Sequence, residues 1–439
     1  MTDTPICDFV QRYVSSDAVR LHMPGHKGIP FLGAEPFDVT EIDGADALYV
    51  PRGIIRESER HASRRFGCDT FYSTEGASQC IRAMLYLSVL HTGNTKVLSG
   101  RNAHHTFLTA AALLGLDVRW LHPHPREGYC QCTVTADDLD KALRHDPVGA
   151  VYITSPDYLG NLADVAALAD VCHRHGALLL ADGAHGAYLH FLPKPQHPSD
   201  CGADMCCSSA HKTLPVLTGG AYLHVGHMLR KACIPHVKQA MALFGSTSPS
   251  YLILQSLDRA NAYLQTYPEK LAAFLPKTAA LKERLCAHGY LLCGNEPLKI
   301  TIQTKPFGYT GNALAQTLRK QNIFCEFHDA DWLTAMCTPE NSDDDLRRFG
   351  DVLCAVPRRP AIEEAPPMYH APQTVCTPRE TLFAPREVLP TEHCVGRILA
   401  SYAVSCPPAV PIVLCGERID ERSAEALRYY GVTSCAVLR

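Results

Sequence analysis

Residues 177–220 constrain the chain more than any other stretch. Ala177 to Ala181 is an unbroken apolar run, the pattern of a strand buried on both faces, and it ends on a carboxylate, Asp182, with His185 three residues later. A second apolar run, Asp204 to Cys207, ends in the hydroxyl pair Ser208 and Ser209 and then Lys212, before Pro215 stops any helix from continuing. Upstream, Val148 to Thr154 is another near-continuous apolar strand, followed by a helix from Asp164 to His175 that opens on an acid and stops at Gly176. This strand–helix alternation predicts a mainly parallel α/β sheet flanked by helices. Such sheets bind ligands at the carboxyl ends of their strands. The turn at 74–78, Arg101 to His105, Asp157, Asp182 and Ser209 to Lys212 are all expected at that edge.

A carboxylate at one strand end and a lysine at a later one suit pyridoxal 5'-phosphate (PLP). That cofactor needs a lysine amine for a Schiff base, an anion to keep its ring nitrogen protonated, and donors for its phosphate. Lys212 and Asp182 fit the first two needs, and Ser209 the third. Taken singly, each has a plainer reading: a strand-end Asp usually forms a turn, and a lone Lys is usually solvated. The strand Thr70–Ser73 runs into Thr74-Glu-Gly-Ala-Ser78 and a helix, and free N–H groups at a helix start favour a phosphate. A histidine following the strand Lys96–Ser99 could stack on a flat ring or simply cap a helix.

Residues 1–35 read as an N-terminal arm with a short helix. Residues 36–265 read as a large cofactor-binding domain, and 266–439 as a smaller α/β domain containing a proline-rich linker at 357–378. Residues 36–56 are acidic and irregular, so Asp46 is a candidate for meeting a cationic substrate. A long helix is expected over 250–288, punctuated near Pro268, and a strand over Ile323–His328.

Composition excludes several classes. A formal charge of −4 with no basic block gives no footprint for nucleic acid, and no apolar run is long enough to span a bilayer. The first residues lack a basic region followed by an apolar stretch, so no signal peptide is expected. Twenty scattered cysteines, without a Cys-x-x-Cys pair, read as buried, reduced thiols in the cytoplasm rather than as a metal site.

Four ordered motifs carry a family resemblance: Leu-His-Met-Pro-Gly-His-Lys-Gly (21–28), Ala-Asp-Gly-Ala-His-Gly-Ala-Tyr-Leu-His-Phe (181–191), Ser-Ala-His-Lys-Thr-Leu-Pro (209–215) and Thr-Ser-Pro-Ser-Tyr (247–251). Together they resemble the bacterial PLP-dependent ornithine/lysine/arginine decarboxylases of short form. The resemblance implies PLP-dependent transferase fold type I with a smaller C-terminal α/β domain. It implies that Lys212 carries the cofactor, Asp182 pairs with its ring nitrogen, His104 stacks on the ring, and His185 and His211 line the site. Gly76, Ala77, Ser78 and Ser209 would hold the phosphate, with Thr247 or Ser248 reaching it from a neighbouring subunit of a homodimer or larger assembly. Glu417 would help read the substrate. The implied reaction is α-decarboxylation of a basic amino acid, L-arginine to agmatine first, lysine or ornithine next. A PLP aminotransferase or aldolase, and a non-catalytic regulatory paralogue, remain alternatives. The chain departs from the family at Pro156-Asp-Tyr-Leu-Gly160, at Glu75, and at Cys406 and Cys415, which puts substrate choice in doubt more than cofactor use.

Overall fold

The computed structural model describes residues 3–124, 127–402 and 410–439, so Cys406 lies outside the described residues. The chain is a mixed α/β fold with a large, mostly parallel central sheet and a smaller C-terminal domain. Its strands are Asp69–Ser73 (β1), Lys96–Gly100 (β2), Asp117–Leu121 (β3), Ala150–Thr154 (β4), Leu178–Asp182 (β5), Met205–Ser208 (β6), Ala221–Val225 (β7), Leu291–Cys293 (β8), Lys299–Gln303 (β9), Phe327–His328 (β10), Trp332–Met336 (β11), Arg386–Pro390 (β12) and Ser434–Leu438 (β13). Two compact units divide the chain, 1–94 with 165–271, and 95–164 with 272–439.

The first unit carries the strand order β1-β7-β6-β5. β5 and β6 run parallel, with Asp182 opposite Cys207, whereas β7 is antiparallel to both β6 and β1. Every residue of β5, β6 and β7 is buried, which accounts for their unbroken apolar pattern. β1, β5 and β6 therefore end at one edge, where β7 begins: Ser73 faces Ala221, and Ser208 faces Tyr222. Two helices pack against this sheet from sequence-legible signals. Ile54–Phe66 stops on left-handed Gly67, and Gly76–Thr92 stops on left-handed Gly93.

The second unit holds the parallel trio β4-β2-β3 and an antiparallel sheet ordered β10-β11-β9-β8, with β12 and β13 as a separate pair. Its C-terminal core gathers Leu399, Val410, Ile412, Ile419, Leu427 and Val437. All described cysteines are free thiols.

Two expectations need correction. The region expected as one helix over 250–288 is two helices, Tyr251–Tyr263 and Tyr267–His288. Pro268, lacking an N–H, is suited to the first turn of the second helix rather than the interior of one continuous helix. The strand expected over Ile323–His328 shrinks to Phe327–His328.

Beneath the strand edge lies a buried polar chain. Ser208 Oγ sits 2.9 Å from His197 Nε2 and 3.2 Å from His224 Nε2, and His224 Nδ1 lies 3.0 Å from Thr70 Oγ1. Burial pushes His197 down to about 3, against a weaker upward pull from Asp200 and a downward push from His190. Burial, then His197 and His190, hold His224 well below its ordinary value. The folded chain thus leaves both imidazoles neutral where the unfolded chain, titrating near 6.5, takes up protons. Stability from this pair is complete above pH 6.5 and falls as pH drops towards 3, by about 1.4 kcal/mol per pH unit per histidine. Asp258 and Asp329, each raised to about 6 by burial, pull the opposite way above pH 3.8. The comparison is therefore with His197→Gln, whose amide keeps a partner for Ser208. Denaturant unfolding across this range should show a shallower acid-side loss in the variant; equal slopes would reject the assignment.

Candidate active site

The first unit places the turn at 74–78, Asp182 and Ser209 to Lys212 at one strand edge, whereas Arg101 to His105 and Asp157 belong to the second unit. Asp182, the last residue of β5, is 3% exposed. Its Oδ1 accepts from the Ala184 N–H at 3.1 Å and from the Cys207 thiol at 3.5 Å. Burial and then the Asp182 charge raise the Cys207 thiol well above its ordinary value, so the sulfur stays a neutral donor to the carboxylate. Lys212 lies in the short helix Ala210–Thr213 that follows β6. Its Nζ is 3.0 Å from Nε2 of His185, itself 7% exposed. A lysine ammonium has only protons to offer, so it donates to Nε2, and the neutral ring then carries its proton on Nδ1.

His211 is tied to the backbone: its N–H donates to the Gly220 carbonyl at 3.2 Å, and its Nδ1 lies 3.0 Å from the same oxygen. Ser209 is 3% exposed and precedes the short helix, but its hydroxyl makes no capping bond. Gly76, Ala77 and Ser78 form the first turn of their helix. Gly76 has φ +71° and donates its N–H to the Gly219 carbonyl at 2.7 Å. A side chain on Gly219, whose φ is +97°, would meet the Thr74 carbonyl at 3.0 Å, so this approach requires glycine.

The residues present fit PLP. The Thr74 and Thr213 hydroxyls are buried without a hydrogen-bond partner, one at the turn before the helix and one beside Lys212. Buried hydroxyls normally find partners, and the orphaned Thr74 hydroxyl, beside the start of the helix Gly76–Thr92, suits an anionic group. Thr74 and Thr213 were not singled out from sequence. The available signal was a hydroxyl flanking each glycine or lysine of the expected edge.

Other predicted residues are placed as follows. Thr247 and Ser248 are exposed ahead of the helix Tyr251–Tyr263. In the second unit, exposed His104 caps the helix His105–Leu114, its Nδ1 accepting from the Thr106 N–H at 3.3 Å. That leaves the proton of the neutral ring on Nε2. The Asp157 carboxylate closes a turn by accepting from Asn161 N and Nδ2, both at 2.8 Å.

The two substrate candidates, Asp46 and Glu417, already have partners within the chain. The oxygens of Asp46 accept from the N–H groups of Ala47, Arg52, Gly53, Ile55 and Arg56, at 2.8–3.4 Å, at the start of the helix Ile54–Phe66. Five donors saturate a carboxylate, leaving nothing for a substrate cation. Glu417 is 2% exposed and grips Arg101 with both oxygens, at 2.5 and 2.6 Å, while Oε2 also accepts from the Leu414 N–H at 2.7 Å.

Comparison with known proteins gives matches over nearly the whole chain. The family model for the Orn/Lys/Arg decarboxylase major domain matches residues 4–285, and that for the Orn/Lys/Arg decarboxylase C-terminal domain matches 362–436. The chain is 29% identical to the arginine decarboxylase of Bacillus subtilis (strain 168), over 96% of this chain and 92% of that protein. It is 30% identical to the arginine decarboxylase of Halalkalibacterium halodurans, over 97% and 93%. Among solved structures, it is similar to the lysine decarboxylase of Francisella novicida (TM-score 0.79, 16% identity, 99% of this chain and 81% of that one). The constitutive lysine decarboxylase of E. coli gives the same TM-score and identity, with 99% and 82% covered.

The committed carboxylate of Asp46 yields a test. Asp46→Ala should lower the stability of the cofactor-free protein by about 2 kcal/mol in denaturant unfolding, since five amide donors lose a charged acceptor. Unchanged stability with a raised KM would instead return Asp46 to the substrate.

Proposed function

The chain belongs to the Orn/Lys/Arg decarboxylase family, and from that membership we propose that it is a PLP-dependent α-decarboxylase of a basic amino acid, taking L-arginine to agmatine and CO2 for polyamine synthesis. The observation that carries the reading is the pairing of half-buried Lys212 with buried His185 on the strand edge that ends in Asp182. Relatives named arginine decarboxylase, at 28–30% identity over nearly the whole chain, support arginine ahead of lysine and ornithine.

In this proposal Lys212 would hold the cofactor through its side-chain amine. When bound, PLP supplies an electron sink for the pair released as the carboxylate leaves. Asp182 holds a proton at the ring nitrogen, and its burial strengthens that charge pairing by keeping water away. His185 orients the Lys212 amine by accepting its proton at Nε2. The His104 ring would lie against the cofactor ring. Gly76, whose own N–H is taken by Gly219, lets the chain turn so that the first-turn amides of Ala77 and Ser78, with the hydroxyls of Ser209, Thr74 and Thr213, would hold the phosphate, and His211 fixes the turn at Gly220. Thr247 or Ser248 completes that cradle in a neighbouring subunit of a homodimer or larger assembly. The division into an arm (1–35), a cofactor domain (36–265) and a smaller domain (266–439), and a cytoplasmic location, belong to the same reading. No helix among the described residues is long and apolar enough to cross a membrane.

The purified protein mixed with PLP should absorb in the visible, and Lys212→Ala should lose that lysine-dependent band along with turnover. Product analysis with arginine, lysine and ornithine should give agmatine fastest; a keto acid in place of an amine, or no product from any of the three, would reject the proposal.

A further inference from the structure

Arg101 is the first residue beyond β2, and its side chain is completely buried. Its guanidinium forms a parallel two-bond fork with Glu417, at 2.5 and 2.6 Å, and lies over the Trp120 ring with Cζ 5.7 Å from the centroid. Leu108, Trp120, Leu414 and Cys415 form an apolar cluster around the segments that carry this pair. An ion pair removed from water in this way is scarcely screened by salt, and losing one partner strands the other charge in a dry site.

The carboxylate side of the pair is rigid. Besides accepting from Leu414 N–H, Glu417 accepts the Leu399 N–H on its own carbonyl at 2.8 Å. The preceding Gly416 has φ +88°, and a Cβ there would come within 2.2 Å of the Cys376 carbonyl. The arginine side leads directly into the histidine turn. Arg101 N–H donates to the Leu121 carbonyl at 3.0 Å, the Asn102 carbonyl accepts from Thr154 Oγ1 at 3.3 Å, and Ala103 N–H returns to the Gly100 carbonyl at 3.2 Å. His104 comes next, its Nδ1 fixed by Thr106. Leu108, on the helix that His104 caps, packs in the same cluster as Leu414 and Cys415 of the Glu417 turn.

We propose that Glu417 is a positioning residue: through its buried fork to Arg101 it sets the Asn102–His104 turn, and with it the plane of the His104 ring. The inference rests on the reading that His104 faces the cofactor. It assigns Glu417 no contact with the substrate, because a fully engaged, buried carboxylate has nothing to offer a guanidinium.

The test uses Glu417→Gln, which keeps the shape and removes the charge, alongside the apolar pair Arg101→Met/Glu417→Met, which removes both charges together and tends to preserve folding. In the cofactor-free protein, the His104 ring resonance, assigned through His104→Asn, should shift in both variants. In the PLP-loaded enzyme, kcat should fall at least tenfold with KM for arginine changed less than twofold. Arg101→Lys, which retains charge but loses the fork, should give an intermediate kcat. A KM increase for arginine with an unmoved His104 resonance would overturn the proposal in favour of substrate contact. A lower melting temperature with unchanged His104 resonance and unchanged kcat would reduce the pair to a scaffold and also overturn it. If Glu417→Gln does not fold, the paired variant gives the same readings. Absence of any amine product from the wild-type enzyme would refute the decarboxylase reading, while the His104 shift would still report on positioning.

Discussion

The parallel pairing of β5 with β6 is the constraint on which the candidate site depends. It sets Asp182 opposite Cys207, so a carboxylate and the short helix bearing Lys212 emerge from adjacent strands at the same edge. Antiparallel β7 then returns the chain so that Gly219 and Gly220 begin where β6 ends, and β1 brings Thr74 and Gly76 to the same place. A slip of one residue would turn Asp182 to the other face of the sheet, because side chains alternate with a period of two. Complete burial of β5, β6 and β7 makes such a slip costly, since side chains fitted to one packed face would exchange places with side chains of different size on the other.

Much of this was legible in the sequence because the strands are short apolar runs ending in polar residues, and the helices end on glycines. The pairing order was not legible. Nothing local in Ala221–Val225 distinguishes an antiparallel strand between β1 and β6 from one more parallel strand, since both are buried on two faces. The break at 264–266 was half-visible as Pro268, whose position relative to a helix start can be read only once the start is known. Thr74 and Thr213 were overlooked for a related reason: a hydroxyl becomes informative only when its burial without a partner is seen.

The polar chain beneath the edge shows how the fold supports the site from behind. Ser208 closes β6 and faces two neutral imidazoles, while the next residue, Ser209, opens the turn to Lys212. One hydroxyl can donate to one imidazole and accept from the other, so the two rings must adopt complementary tautomers there. That requirement fixes the end of β6 more firmly than apolar packing alone, because an unmatched donor in so dry a place is expensive.

Acids posed the hardest reading. Asp46 and Glu417 look alike in sequence as carboxylates near glycines, yet the structure uses one to hold five backbone amides and the other to neutralise a buried arginine. Each role consumes the acceptor capacity that recognition of a cationic side chain would need. A carboxylate that reads a substrate has to stand partly solvated and unspent before binding, so that the incoming guanidinium or ammonium replaces water rather than a permanent partner. Half-buried Asp46 and buried Glu417 each hold a turn of the chain in place: the start of the helix Ile54–Phe66 in one case, and the segment that follows β2 in the other.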